Sequence, residues 1–220
     1  MSELAGHRIA VLMESEFVPG EIEAYQREFP ARGATVDLVS RLWGNSQLTF
    51  VSDVEREGEI PQTVEIGIDI GDIKLAEYSA VIMAANYTSV RLRMFDPPVG
   101  PDGQPLPVEP SMARDAPAVQ LFAAAMRDRR IVKGALCHGL WLLTPVPELL
   151  SGRRVICHRV VLADIANAGA VYTPSRVGGA STPLTPFPGV VVDDDLVTGE
   201  TWHDVVPFID AVTQQVLTRS

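Results

Sequence analysis

Three short runs, apolar almost throughout, constrain this chain more than any other feature. They are Arg8 to Met13 (RIAVLM), Ala80 to Ala85 (AVIMAA) and Arg130 to Leu136 (RIVKGAL). Their length is that of a strand, and they lack the alternation of a strand with one wet face. Strands of this kind are covered on both faces, as in a parallel sheet. Between them the period changes. Pro19-Gly20 opens a helical pattern through Arg32, with Ile22, Tyr25 and Phe29 on its apolar stripe and Gly33 as its cap. Ala34 to Ser40 reads as a second strand, and a helix over His203 to Leu217 carries Val205, Val206, Ile209, Val212 and Val216. Gln47 to Asp53 and Thr63 to Ile70 alternate, as a small antiparallel excursion would. This βαβ rhythm, with the right-handed crossover rule, predicts a flavodoxin-like, doubly wound, mainly parallel α/β sheet sandwiched by helices. No repeat and no linker divides residues 1–220, so one domain is expected.

Composition narrows the partners. A chain of 220 residues buries roughly 70% of its unfolded surface, so it needs neither disulfide nor metal to fold. Eighteen basic against 28 acidic residues give a net charge of −10. Such a surface repels nucleic acid and anionic lipid, which are bound through clustered Lys and Arg. The two cysteines, Cys137 and Cys157, are expected to be reduced thiols. No apolar run reaches membrane-spanning length, and the N-terminus lacks a basic leader with an apolar core. A cytoplasmic protein with a small-molecule substrate is the expectation.

Two segments interrupt the rhythm. Pro97 to Pro110 holds six of the 17 prolines, and Thr173 to Gly189 is rich in Pro, Gly, Ser and Thr. Both read as surface loops. The first, an insertion before the Cys137 strand, is alternatively a lid over the carboxyl edge of the sheet.

The chemistry concentrates in Ile131 to Leu143 (IVKGALCHGLWLL). A buried strand ends at Leu136, Cys137 occupies the turn, and an apolar helix is expected from about His138. This is the strand–nucleophile–helix order of a nucleophile elbow, with Cys in place of Ser. Gly139 gives the small residue that lets the backbone pass closely. At a helix N-terminus the amide dipoles would lower the thiol pKa. The competing reading is a buried structural cysteine packing as a small hydrophobe. Other signals are weaker. Adjacent Cys-His pairs at 137–138 and 157–158 suit zinc poorly. Asp193-Asp194-Asp195 reads as a solvated hairpin turn. Neither a P-loop nor Gly-x-Gly-x-x-Gly follows the first strand, so no nucleotide cofactor is expected.

The segment ALCHGLWLL resembles the Cys-His-Gly elbow of the ThiJ/PfpI superfamily, which includes the Parkinson-linked deglycase, PfpI-type peptidases, glyoxalases and isonitrile hydratases. Arg8 to Ser40 resembles that family's opening strand, acid-bearing loop and helix. Ile165 to Gly169 (IANAG) and Val190 to Gly199 (VVVDDDLVTG) resemble its late helix end and hairpin. The likeness covers nearly the whole chain. It implies that Cys137 is the reactive cysteine and that Glu21, four residues after Phe17, is the acid that hydrogen-bonds its sulfur. Glu14 and Glu16 compete for that role. The amide of His138 would form half of an oxyanion hole, and His158 would stand near the cysteine.

The chain also departs from the pattern. The family's Pro-Gly-Gly after the third strand reads Ala84-Ala85-Asn86 here, so the second oxyanion amide falls at Ala85 or Asn86. Asn tolerates positive φ, and its side-chain amide offers a further donor. Val90 stands where PfpI-type peptidases carry a glutamate, which argues against a peptidase triad. Arg91 is a candidate for a substrate carboxylate, and Arg93 is assigned to a solvated helix face. The resemblance implies a homodimer, and no cofactor or metal is expected. It also implies a cysteine-dependent enzyme acting on a small electrophile, glyoxalase- or deglycase-like or amidase- or hydratase-like. The alternatives are a redox-sensing or protective protein using the same cysteine, and a structural relative that has lost activity.

Overall fold

The computed structural model describes residues 2–54, 58–174 and 185–219. Its frame is a six-stranded sheet. The strands β1 (Arg8–Leu12) and β2 (Thr35–Val39) are joined by helix α1 (Pro19–Ala31). A separate antiparallel pair, β3 (Leu48–Val51) and β4 (Thr63–Ile66), precedes β5 (Ala80–Met83) and the short helix α2 (Thr88–Arg91). Helix α3 (Pro117–Arg127) leads into β6 (Val132–Leu136). Strand β7 (Arg154–Val155), helix α4 (Leu162–Asn167) and strand β8 (Val171–Tyr172) form an appendage. The hairpin β9 (Val190–Asp193) and β10 (Leu196–Gly199) then feeds helix α5 (Val205–Arg219).

The main sheet runs β2-β1-β5-β6-β10-β9, parallel except for β9. The flavodoxin-like expectation holds, and so does the antiparallel excursion. From β1 the chain moves outward to β2 through α1, whereas from β5 it moves the opposite way to β6 through α3. Right-handed crossovers in opposite directions place the two helices on opposite faces, which is why β5, β6 and β1 beyond Arg8 are buried. Helix α5 packs beside α1, where the rings of Tyr25 and Phe208 lie 6.3 Å apart. Gly134 admits that helix, since a Cβ there would lie 2.8 Å from Phe208 Cζ. Order reverses between β1 and β5, so the carboxyl ends of β1, β5 and β6 frame the crevice where such sheets bind ligands.

One expectation needs correction here. The 193–195 turn is not simply solvated: Asp194 is exposed to solvent, but Asp193 and Asp195 are buried. Lys133, fully buried in β6, meets Asp195 at 2.5 Å, and Arg153 bridges Asp195 to Asp193. Arg154 also holds Asp193, at 2.6 Å. Buried charges persist because each is paired. The Pro-rich segment folds on itself, with Gly100 N bonded to Gln104 O and Leu106 N to Pro98 O. Most of the second Pro/Gly-rich stretch, 175–184, lies outside the described residues. Among the described residues no helix is long and apolar enough to cross a membrane.

Candidate active site

The site is built on two chain turns at the carboxyl edge of the sheet. Cys137 follows β6 with φ at +57°, a conformation a non-glycine residue adopts only when its surroundings impose it. Here they do. The Cys137 amide donates to Gly199 O at 2.9 Å, and its carbonyl accepts from the His158 amide at 3.1 Å. Gly139 is required sterically, since a Cβ there would stand 2.9 Å from the Met83 carbonyl oxygen. The second turn follows β5, where Asn86 takes φ of +65°. Asparagine thus does the conformational work that glycine would do. Ser89 Oγ donates to His138 O at 3.0 Å and ties the two turns together.

Beyond the cysteine the elbow departs from expectation. Gly139–Leu143 is a five-residue 3-10 turn, not an α-helix. Pro145 and Pro147 lack the amides a longer helix would need, and Val146, before Pro147, leaves the helical region. The thiol therefore gains no helix dipole, and its pKa moves the other way. Burial and the proximity of the Glu21 carboxylate push Cys137 up to about 12, against hydrogen bonds from the amides of Asn86, Trp202 and His138 that favour the thiolate. The cysteine rests as a neutral thiol.

Glu21 comes from the first turn of α1 and is fully buried. Tyr25, one turn on, donates its hydroxyl to Oε1 at 2.8 Å, and the Ala85 amide contacts both carboxyl oxygens at 3.0 and 2.9 Å. Burial outweighs those donors and raises Glu21 to about 8, so it is largely protonated at neutral pH. Two acids in one buried place do not both ionise readily. Of the competing acids, Glu14 and Glu16 face Arg91 instead, at 3.8 and 2.8 Å.

His138 turns its ring back on the nucleophile, with Nδ1 3.1 Å from Cys137 Sγ. The ring stacks on Tyr87 at 5.5 Å and meets Trp141 at 5.0 Å and His158 at 4.7 Å. Burial, with some repulsion from His158, lowers its pKa to about 4. A neutral imidazole thus faces a neutral thiol. His158 caps the following turn by accepting from the Val160 amide.

Cys137 and His138 open onto a cleft of about 240 Å³, which Asn86 and His158 also line. Asn86 Nδ2 donates to Asp53 Oδ2 at 2.8 Å. Asp53 reaches the cleft because its amide bonds to Phe17 O just beyond β3. Thr201, Trp202 and His203 complete the wall. Sequence reasoning missed Asp53 and this wall. The 201–203 wall lies more than sixty residues beyond the elbow in sequence, and its only signal was its place before the last helix.

Three candidates are not brought to the cleft. The Ala85 amide is occupied by Glu21, and Gly139 packs against Met83. Arg91 is held by Glu16 and Glu14 rather than left for a substrate carboxylate. Arg93 is not on a solvated helix face: it lies past the end of α2, half-buried, and donates to Thr144 Oγ1 at 2.6 Å. No residue of 97–110 lines the cleft.

Fold and site together define a doubly wound α/β protein with a cysteine at a strained elbow on the sheet's carboxyl edge. The DJ-1/PfpI family model matches residues 7–215. The chain belongs to that family. It is 23% identical over 201 residues to YraA of Bacillus subtilis (strain 168), described only as a candidate cysteine protease; the match covers 91% of this chain and 93% of that one. Among solved structures it resembles a two-domain protein of Anabaena variabilis with DJ-1/ThiJ/PfpI-like and ferritin-like domains (TM-score 0.70, 18% identity). That alignment covers 95% of this chain, which spans about half (49%) of the longer protein. A ThiJ/PfpI domain protein of Brachyspira murdochii aligns at TM-score 0.67 and 13% identity, covering 97% and 98% of the two chains. Schizosaccharomyces pombe DJ-1 aligns at 0.64 and 12%, covering 95% and 91%. At such identities the likeness carries the fold.

Proposed function

We propose that this chain is a cysteine-dependent enzyme acting on a small electrophile, with Cys137 as nucleophile. The observation that carries the reading is the 3.1 Å approach of His138 Nδ1 to Cys137 Sγ at the mouth of the cleft. A thiol neutral at rest must lose its proton as it attacks, and the imidazole nitrogen at hydrogen-bond distance is the acceptor placed to take it, weak while neutral and buried and strengthened by the negative charge developing beside it. As sulfur bonds to a carbonyl or nitrile carbon, the thiol proton passes to Nδ1 and a π bond shifts its electrons onto oxygen or nitrogen. The amides of Asn86, His138 and Trp202 supply fixed donors for that charge. Glu21, protonated and buried, offers a proton without competing as an anion.

The cleft volume suits a small aldehyde, amide or nitrile. A peptidase role gains no support from Val90 or from the absence of a carboxylate on either nitrogen of His138 among the described contacts. The redox-sensing alternative requires a thiolate at rest, and the buried, neutral thiol counts against it.

The test is turnover of methylglyoxal, a small amide and an isonitrile by the native protein and by Cys137→Ala. The reading expects at least one substrate to be consumed and its rate to fall about 100-fold or more in the variant, the order seen when a nucleophile is removed. Equal rates in both proteins, or none in either, would defeat it.

A further inference from the structure

Tyr25 is a fully buried side chain in contact with the site whose hydroxyl the mechanism leaves unused. It sits on the apolar stripe of α1, stacked on Phe29 at 6.0 Å and against Phe208 of α5. A core tyrosine needs a partner for its hydroxyl, and here the partner is Glu21 Oε1 at 2.8 Å. The geometry is asymmetric. Oε1 accepts from both Tyr25 and Ala85, whereas among the described residues Oε2 accepts from Ala85 alone. A carboxyl oxygen that already receives two donors is the carbonyl oxygen, because a protonated oxygen is the poorer acceptor.

We infer that Tyr25 is a positioning residue: its hydroxyl fixes Oε1 of Glu21 as the carbonyl oxygen and thereby confines the acidic proton to Oε2. The inference rests on the proposed role of Glu21 as proton donor in the Cys137 reaction. Without Tyr25 the two oxygens become equivalent towards the Ala85 amide, and the proton is shared between two places of which only one serves the site. The titratable groups facing Glu21 are few. Tyr25 comes from its own helix and Cys137 from the turn after β6. The turn after β5 contributes the Ala85 amide, and α5 contributes only the ring of Phe208 behind Tyr25.

Infrared spectroscopy tests this without any substrate. The carbonyl band of a buried protonated carboxyl, assigned to Glu21 by its loss in Glu21→Gln, should move to higher wavenumber in Tyr25→Phe, because the carbonyl loses a donor. The titration midpoint of that band should rise by about one pH unit, since a hydrogen bond to the ionised form is lost. Placing 3-fluorotyrosine at position 25 strengthens the donor within nearly the same volume, and should move band and midpoint the opposite way. It also covers the case in which Tyr25→Phe fails to fold. If a turnover substrate is found, kcat should fall about tenfold in Tyr25→Phe with KM unchanged. A band and midpoint unmoved in a folded variant would reduce Tyr25 to core packing and overturn the inference, as would the absence of any band that depends on Glu21. A lack of turnover in the native protein would instead defeat the proposed enzyme while leaving the band shift to decide the role of Tyr25.

Discussion

Cys137 and His138 are neighbours in sequence, yet their side chains converge, with Sγ 3.1 Å from Nδ1. Successive residues ordinarily diverge. The left-handed backbone at Cys137, clamped by Gly199 and His158, brings them back together.

That convergence predicts the cost of losing the imidazole. His138→Asn preserves much of the side-chain shape but removes the base, so turnover should fall about 100-fold, the usual scale of general-base catalysis. Steady-state kinetics on whichever electrophile the native protein consumes would measure it. An unchanged kcat would leave His138 as a wall of the cleft only.

The same burial makes stability depend on pH. Folding lowers His138 from 6.5 to about 4. Between those values the unfolded chain binds the extra proton, so stability falls as pH drops, by about 3 kcal/mol at most. Folding raises Glu21 from 4.5 to about 8. Its contribution has the opposite sign: it is fully present below 4.5 and lost as pH rises to 8, by at most about 5 kcal/mol. Above 6.5 only the Glu21 effect of this pair remains. Urea unfolding of the native protein should therefore show stability declining from pH 6.5 to 8, with Glu21→Gln flattening that decline.

Gly139 is an obligate close approach. Gly139→Ala would force a Cβ to 2.9 Å from the Met83 carbonyl oxygen, which is backbone and cannot swing away. A loss of about 1–3 kcal/mol is expected, as for overpacking elsewhere. Thermal unfolding would report it.

Lys133 tests the network beneath the site. Lys133→Met strands Asp195, a buried carboxylate left with Arg153 alone, and should cost about 3 kcal/mol or more. Because the pair is buried, added salt should change that loss little. Urea unfolding of the variant at low and high salt would measure both.

How much of the molecule was legible in the sequence depends on what each element rests on. Strands β1, β5 and β6 were legible because strands covered on both faces must be apolar throughout. The elbow was legible because a tight strand-to-turn passage needs small residues such as Gly139. Features that depend on distant packing were not. The direction of the Cys137 shift turns on burial and on Glu21, not on the local turn, and the short 3-10 segment removed the dipole that the local pattern suggested. Arg91 sits just over one helical turn past Asn86, yet its partners Glu14 and Glu16 come from the loop after β1. Lys133 in an apolar strand gave no hint that Asp195, 62 residues later, would meet it.

The central claim is an accessible nucleophile, neutral at rest. Alkylation of the native protein by iodoacetamide across roughly pH 6 to 10, read separately at Cys137 and Cys157 by mass spectrometry, tests it most directly. Cys137, itself only 5% exposed, lines the cleft, whereas Cys157 is sealed at 1% exposure. The account predicts that Cys137 is labelled in the folded state, slowly near neutral pH and faster beyond the ordinary thiol value of about 8.5, while Cys157 stays unlabelled until unfolding. Fast labelling of Cys137 at about pH 6 would contradict the neutral thiol, and labelling of neither cysteine before unfolding would contradict the nucleophile itself.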